Sequence, residues 1–192
     1  MVGPQLALGA WHHVAFVWDG TMKRGYVKGV QVASESVTSI DDDVMPLLVG
    51  RYAEGELALA HNGNLTNAQE LRTRLVDEGA LFQTTIDSEV IVHLIARSRR
   101  DDVDGQVDDA LSQLEGSFSL LITIGDTLYA ARDRHGFRPL VLGMRDGGFV
   151  VASETCALAT VGPTFEREID PGEIVVVKGD GLQSHRLGMP PP

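Results

Sequence analysis

The sequence predicts an α+β fold preceded by a β-only segment, and three observations carry that reading. Up to about residue 55 every apolar run is strand-like. From residue 57 three stretches carry helical periodicity, and after them the chain returns to short apolar runs broken by Gly and Asp. Helices and strands gathered into separate blocks favour helices layered on an antiparallel sheet. With 192 residues, 43% of them hydrophobic, the chain can bury one sizeable core beside a small second unit.

Residues 11–18 (WHHVAFVW) are apolar on both alternating faces, as in a strand buried inside a sandwich, and Asp19-Gly20 closes them with a turn. Tyr26-Val27, the turn Lys28-Gly29 and residues 30–33 read as a hairpin, and a further strand covers 46–50 after the acidic loop 41–43. The succession WHHVAFVWDG, YVKGVQVAS, PLLVGR resembles the middle strands of laminin-G or concanavalin-like sandwich domains, with Lys28 in place of the usual Asn. The resemblance spans about a quarter of the chain and is a fragment of such a domain. His12 and His13, adjacent on one strand, point to opposite faces and do not converge on one metal ion. Trp11, Trp18 and Tyr26 read as core aromatics rather than a carbohydrate platform.

The central stretch is His61-Asn62-Gly63-Asn64-Leu65-Thr66-Asn67, entered by an apolar strand at 57–60 and left by a helix. A strand that stops at Asn-Gly aims a side-chain amide and an unobstructed backbone N–H into one space, the hardware for holding an oxyanion. Thr66 and Gln69 form a capping box, Ala68, Leu71 and Leu75 a stripe, and Gly79 a stop, which predicts a helix over 67–78. A second helix has Asp87 as its N-cap and Val90, Ile91, Leu94 and Ile95 as its buried face. A third covers 103–114. Strands are expected at 119–124, 128–132, 139–142, 149–152 and 174–178, separated by Gly or Asp turns.

Charge and composition exclude several classes. A net charge of −11 leaves no basic stripe for phosphates, and Asp101, Asp102 and Asp104 follow Arg97, Arg99 and Arg100 at once. We expect no nucleic-acid partner and no membrane association: no apolar run approaches a membrane span, and the N-terminus lacks a signal-peptide pattern. The single cysteine, Cys156, forms no internal disulfide or multi-cysteine metal site and fits a reducing, cytoplasmic setting. No cofactor or metal is called for.

LALAHNGNLTNAQELR, FQTTIDSEVIVHLIA, RDRHGFRPLVLG, VVASETCAL and IDPGEIVVV, in this order, resemble the glutaminase domain of the amidophosphoribosyltransferase family over about 57–188. The resemblance implies an N-terminal-nucleophile-type αββα fold. It divides the chain into a β-sandwich fragment at 1–55 and a class II glutamine amidotransferase domain at 56–192. It implies glutamine as substrate, hydrolysed to supply ammonia for phosphoribosylamine in purine synthesis, and is compatible with a homo-oligomer. Asn62 and Gly63 would form the oxyanion hole, Asp87 would bind glutamine's α-amino group, and His61 and Asn64 would support the loop. Arg132, Asp133, Gly136, Arg138 and Pro139 would be structural, and Cys156 a small buried hydrophobe. Arg51-Tyr52 is superficially similar to the family's carboxylate-binding arginine motif, while Leu48-Val49-Gly50-Arg51 fits the sandwich succession at least as well.

The family's nucleophile is an amino-terminal cysteine, whereas this chain begins Met1-Val2-Gly3. The expectation is therefore a truncated, fused glutaminase shell with background activity and no phosphoribosyltransferase half. Two other readings are a non-catalytic binding module built on the N-terminal β fragment, and an enzyme using Cys156 with His61 or His135 as its base.

Overall fold

The structure, a computed structural model, describes residues 14–18, 22–27, 30–36 and 47–52 as backbone strands, and residues 55–145, 147–161, 163–179 and 181–188. The chain divides into two compact units, Met1–Val44 and Met45–Pro192. The first holds an antiparallel three-stranded sheet of β1 (Val14–Trp18), β2 (Met22–Val27) and β3 (Val30–Ser36), with β2 in the centre. The expected hairpin is present, with Val27 opposite Val30. His12, His13, Trp11 and the Lys28-Gly29 turn lie outside the described residues.

The second unit begins with β4 (Leu47–Tyr52), β5 (Gly55–Leu65), α1 (Ala68–Asp77), α2 (Glu89–Arg97) and α3 (Val103–Ser112). It continues with β6 (Gly116–Ile124), β7 (Thr127–Arg132), β8 (Val141–Arg145), β9 (Gly148–Ala152), α4 (Thr155–Val161), β10 (Thr164–Glu168), β11 (Glu173–Lys178) and β12 (Gly181–Arg186). One six-stranded antiparallel sheet runs β12-β11-β7-β6-β5-β4, and a three-stranded sheet runs β10-β8-β9.

Strand periodicity of two builds the layers. Leu120, Ile122 and Ile124 of β6, Tyr129 and Ala131 of β7, and Ile174 and Val176 of β11 fall on one face of the large sheet. They form one core with Leu71 and Leu75 of α1, Val90, Ile91, Leu94 and Ile95 of α2, and Val107, Ala110 and Leu111 of α3. The alternate residues Ala130, Val175 and Val177 form a second core with Leu140, Leu142 and Ile169, against which Phe149 and Val151 of β9 pack. On the far side of the small sheet, Leu158 of α4 is buried next to Gly143 of β8. The order is helices, sheet, sheet, helix. No helix among the described residues is long and apolar enough to cross a membrane.

Several local expectations are corrected. β4, placed by sequence with the N-terminal segment, pairs with β5 from Leu47 opposite Ala60 to Tyr52 opposite Gly55, so the observed division falls at 44/45 rather than 55/56. The strand entering His61-Asn62-Gly63 does not stop there but continues to Leu65, with Asn62 opposite Ser119 and Gly63 opposite Phe118. The Thr66 and Gln69 box is not used: Asn67 is the N-cap of α1. Its side chain donates to the Gln113 carbonyl (2.9 Å) and accepts from Glu115 N–H (3.0 Å), tying the start of α1 to the end of α3. Asp87 is not the cap of α2. Ser88 is, which leaves the Asp87 carboxylate for other partners. β10, β12 and α4 were not anticipated, because TFERE and GLQSHR carry little apolar alternation and α4 is short.

Candidate functional site

The site grows from the end of β5. Alternation along the strand puts Leu57, Leu59 and His61 on the helix side and Asn62 on the side of the second sheet. Asn62 is partly exposed and Gly63 exposed, so both open to solvent. Opposite Asn62, the Ser119 hydroxyl lies 3.2 Å from both the Arg138 and Pro139 carbonyls, which draws the 133–139 turn to this edge.

Gly63 is required by its surroundings. A Cβ there would lie 2.1 Å from the Ser117 carbonyl oxygen and 2.9 Å from the Phe118 Cα, and its φ of +151° falls in a region L side chains rarely adopt. β5 and β6 approach too closely at this point for any side chain.

The structure brings His61, Asp87 and Ser88 together with the last residue of β5. Leu65 N–H donates to Asp87 Oδ2 (3.1 Å), and the Ser88 hydroxyl donates to Asp87 Oδ1 (3.3 Å). His61 Nδ1 is 2.9 Å from Ser88 Oγ and 3.6 Å from Asp87 Oδ1. The Ser88 hydroxyl thus stands between His61 and Asp87, within hydrogen-bond reach of both. His61 Nε2 is buried with no hydrogen-bond partner among the described residues.

Burial acts to raise the Asp87 pKa, but the nearby His61 ring and the bonds from Leu65 N–H and Ser88 outweigh it together and lower it to about 2. The carboxylate is therefore ionised at all ordinary pH values. A carboxyl group whose folded pKa lies below its unfolded value of about 3.9 contributes stability above that value and loses it as pH falls toward 2. Denaturant titrations at pH 5 and pH 2.5 are expected to show a smaller loss for Asp87→Asn than for the wild type; equal losses would contradict this assignment.

The other predicted residues separate clearly. Arg132 is buried and donates to the carbonyls of Arg138 (2.8 Å), Ile169 (2.8 Å) and Gly136 (3.0 Å). Asp133 accepts from the N–H groups of Phe118, His135 and Phe137. Gly136 has φ +65°, and a Cβ there would meet Pro171 Cγ at 2.8 Å. Asn64 is exposed on β5 next to Gly63. Arg51 stands on β4 opposite Glu56, in the amidotransferase unit rather than the N-terminal sheet.

Cys156 is a correction: it is exposed on α4 rather than buried, with Sγ 3.2 Å from Glu154 Oε2, whose hydrogen bond and charge push the thiol pKa up. That is the opposite of an activated nucleophile. Sequence reasoning missed Arg72 and Glu89, which bind the 83–86 backbone immediately before Asp87. The available signal was an acid one residue inside a helix that already begins with Asp-Ser.

Residues 34–160 match the glutamine amidotransferase domain family, beginning well before Leu57. Over 148 residues, 77% of this chain and 31% of the relative, the sequence is 44% identical to the amidophosphoribosyltransferase of Bacillus subtilis. It is 50% identical over 143 residues, 74% of the chain and 29% of the relative, to the chloroplastic amidophosphoribosyltransferase of Vigna aconitifolia. Among solved structures, the B. subtilis glutamine phosphoribosylpyrophosphate amidotransferase complexed with ADP and GMP superposes with a TM-score of 0.74 at 40% identity. That match covers 86% of this chain and 36% of the other. The chain thus spans about three tenths of the length of these curated relatives. The expected α+β fold of N-terminal-nucleophile type is borne out by this neighbour. Sequence, layering and solved relatives agree, and the chain belongs to the glutamine amidotransferase domain family; the relatives it resembles here are amidophosphoribosyltransferases.

Proposed function

We propose that the amidotransferase part of this chain binds free glutamine, with Asp87 taking the α-ammonium group and Asn62 and Gly63 facing the carboxamide oxygen. The observation that carries the reading is the Asp87 carboxylate, held ionised at the end of the strand that bears Asn62 and Gly63. A ligand with a free α-amino group offers it a charge-assisted hydrogen bond, worth more than a neutral one. When a nucleophile attacks the carboxamide carbon, the oxygen becomes an oxyanion, and donors already aimed at it lower the barrier without reorganising.

In the whole protein this glutaminase step would release ammonia for phosphoribosylamine formation in purine synthesis. The 192-residue chain by itself binds glutamine without hydrolysing it above background, because its one thiol stands on α4 with a raised pKa. His61 and Asn64 support the oxyanion strand, and the chain works in the cytoplasm as a homo-oligomer.

Calorimetric titration of glutamine into the purified chain tests the reading. Asp87→Asn is expected to weaken binding about tenfold or more, the scale of one hydrogen bond to a charged group, and Asn62→Ala by only a few-fold, as for a neutral bond. Unchanged affinity in Asp87→Asn, or no binding by the wild type, would overturn it.

A further inference from the structure

Residues 81–86 connect α1 to α2 without regular secondary structure and lead directly into Asp87. Their own apolar side chains do not anchor them all: Leu81 is 86% exposed and Ile86 38% exposed. What holds them is polar and comes from both flanking helices.

From α1, Arg72 donates through Nη1 to the Thr84 carbonyl (2.9 Å) and through Nη2 to the Ile86 carbonyl (2.8 Å). Its guanidinium lies over the Phe82 ring at 4.0 Å, and that ring meets His93 of α2 at a tilt of 53°, with centroids 4.3 Å apart. From α2, the buried Glu89 accepts from the N–H groups of Gln83 (2.7 Å) and Thr84 (2.8 Å) and from the Thr84 hydroxyl (2.7 Å). Thr84 Oγ1 in turn accepts from Ile86 N–H (3.2 Å). The Ile86 carbonyl receives both Arg72 and the first N–H of α2, Glu89 N–H. Glu89 of α2 thus holds the N–H groups of Gln83 and Thr84, while Arg72 of α1 holds the carbonyls of Thr84 and Ile86, the latter shared with Glu89 N–H.

Helix packing alone would be served by apolar residues at these places, since a buried carboxylate is costly unless fully bonded. Glu89 gives its acceptor capacity largely to the loop backbone. We propose that Arg72 and Glu89 are positioning residues that hold the loop so that Asp87 meets a ligand's α-ammonium group, and thereby set selectivity for an amide bearing a free α-amino group. The proposal rests on the glutamine reading above. A charged hydrogen bond depends on placement, and a carboxylate on an untethered loop must be ordered again at each binding event.

The test compares glutamine with glutaric acid monoamide, the same molecule without its α-amino group, by calorimetry on the full chain. The proteins are the wild type, Arg72→Met, Glu89→Gln and Thr84→Val, with amide NMR spectra to establish folding. The wild type is expected to prefer glutamine about tenfold or more. In Arg72→Met and Glu89→Gln that preference falls toward parity while affinity for the monoamide stays within about twofold, because the amino-binding contact alone is lost. Thr84→Val removes one hydroxyl and keeps the test decisive should a helix variant fail to fold; it is expected to lose at least about threefold of the preference.

Folded variants that keep the wild-type preference overturn the proposal. So do variants that lose both ligands equally, which marks a merely structural role. A wild type that binds neither ligand, or binds them equally, refutes the glutamine reading itself and the positioning role with it.

Discussion

Gly63→Ala is expected to destabilise the amidotransferase unit by more than about 3 kcal/mol, among the largest effects of any single change. The added Cβ would lie 2.1 Å from the Ser117 carbonyl oxygen and 2.8 Å from its carbon, and both belong to the backbone of β6, so no flexible side chain can move aside. Either β5 and β6 separate, which breaks ladder hydrogen bonds beside Asn62, or the chain flips at Gly63 and redirects its N–H. Gly79 supplies the control. It has φ +88° but open space around its Cβ position, so Gly79→Ala carries only the conformational cost of about 1–2 kcal/mol. Denaturant unfolding of the two variants separates the effects. Equal losses at both positions would show that the close approach of the strands does not matter.

Arg132→Met is expected to cost about 3–5 kcal/mol, lowering Tm by roughly 10 °C in a unit of this size. The guanidinium is nearly inaccessible, and methionine fills part of its volume but donates nothing to the carbonyls of Arg138, Ile169 and Gly136. The buried Ile169 carbonyl then loses this donor, and the part-buried Gly136 and Arg138 carbonyls lose theirs, the latter keeping the Ser119 hydroxyl at 3.2 Å. The damage reaches the site, because the same turn carries the Arg138 and Pro139 carbonyls that neighbour the Ser119 hydroxyl opposite Asn62. The exposed Glu168 contributes little through its 3.3 Å ion pair, so Glu168→Gln should cost under about 1 kcal/mol. A loss that small in Arg132→Met, measured by thermal unfolding, would contradict this account.

What could be read in advance follows from which residues carry periodic information. Leu71 and Leu75, or Val90, Ile91, Leu94 and Ile95, recur at helical spacing because one face of each helix meets the sheet, and that recurrence is written along the chain. The His61-Asn62-Gly63-Asn64 stretch stands out through the family motif it belongs to, because Asn-Gly by itself is equally the signal of a turn. Edge elements escaped. β12, with Gln183, Ser184 and Arg186, has little apolar alternation to betray it, and among the described side chains of α4 the buried one is Leu158. β4 reads equally well as part of a sandwich, since Leu47 to Val49 is apolar in either sheet, and only its pairing with β5 decides. Asn67 and Asp87 sit where helix caps belong, yet each gives its side chain to a distant backbone, a tertiary choice that local spacing does not encode. The exposure of Cys156 likewise depends on which way a short helix turns.

The most direct measurement is the position of glutamine in a crystal of the chain grown in its presence. The carboxamide oxygen is expected within about 3.1 Å of both the Asn62 amide and the Gly63 N–H, the reach of oxyanion donors. The α-ammonium group is expected on the Asp87 carboxylate. Glutamine bound elsewhere, or bound here with its amino group turned away from Asp87, would contradict it.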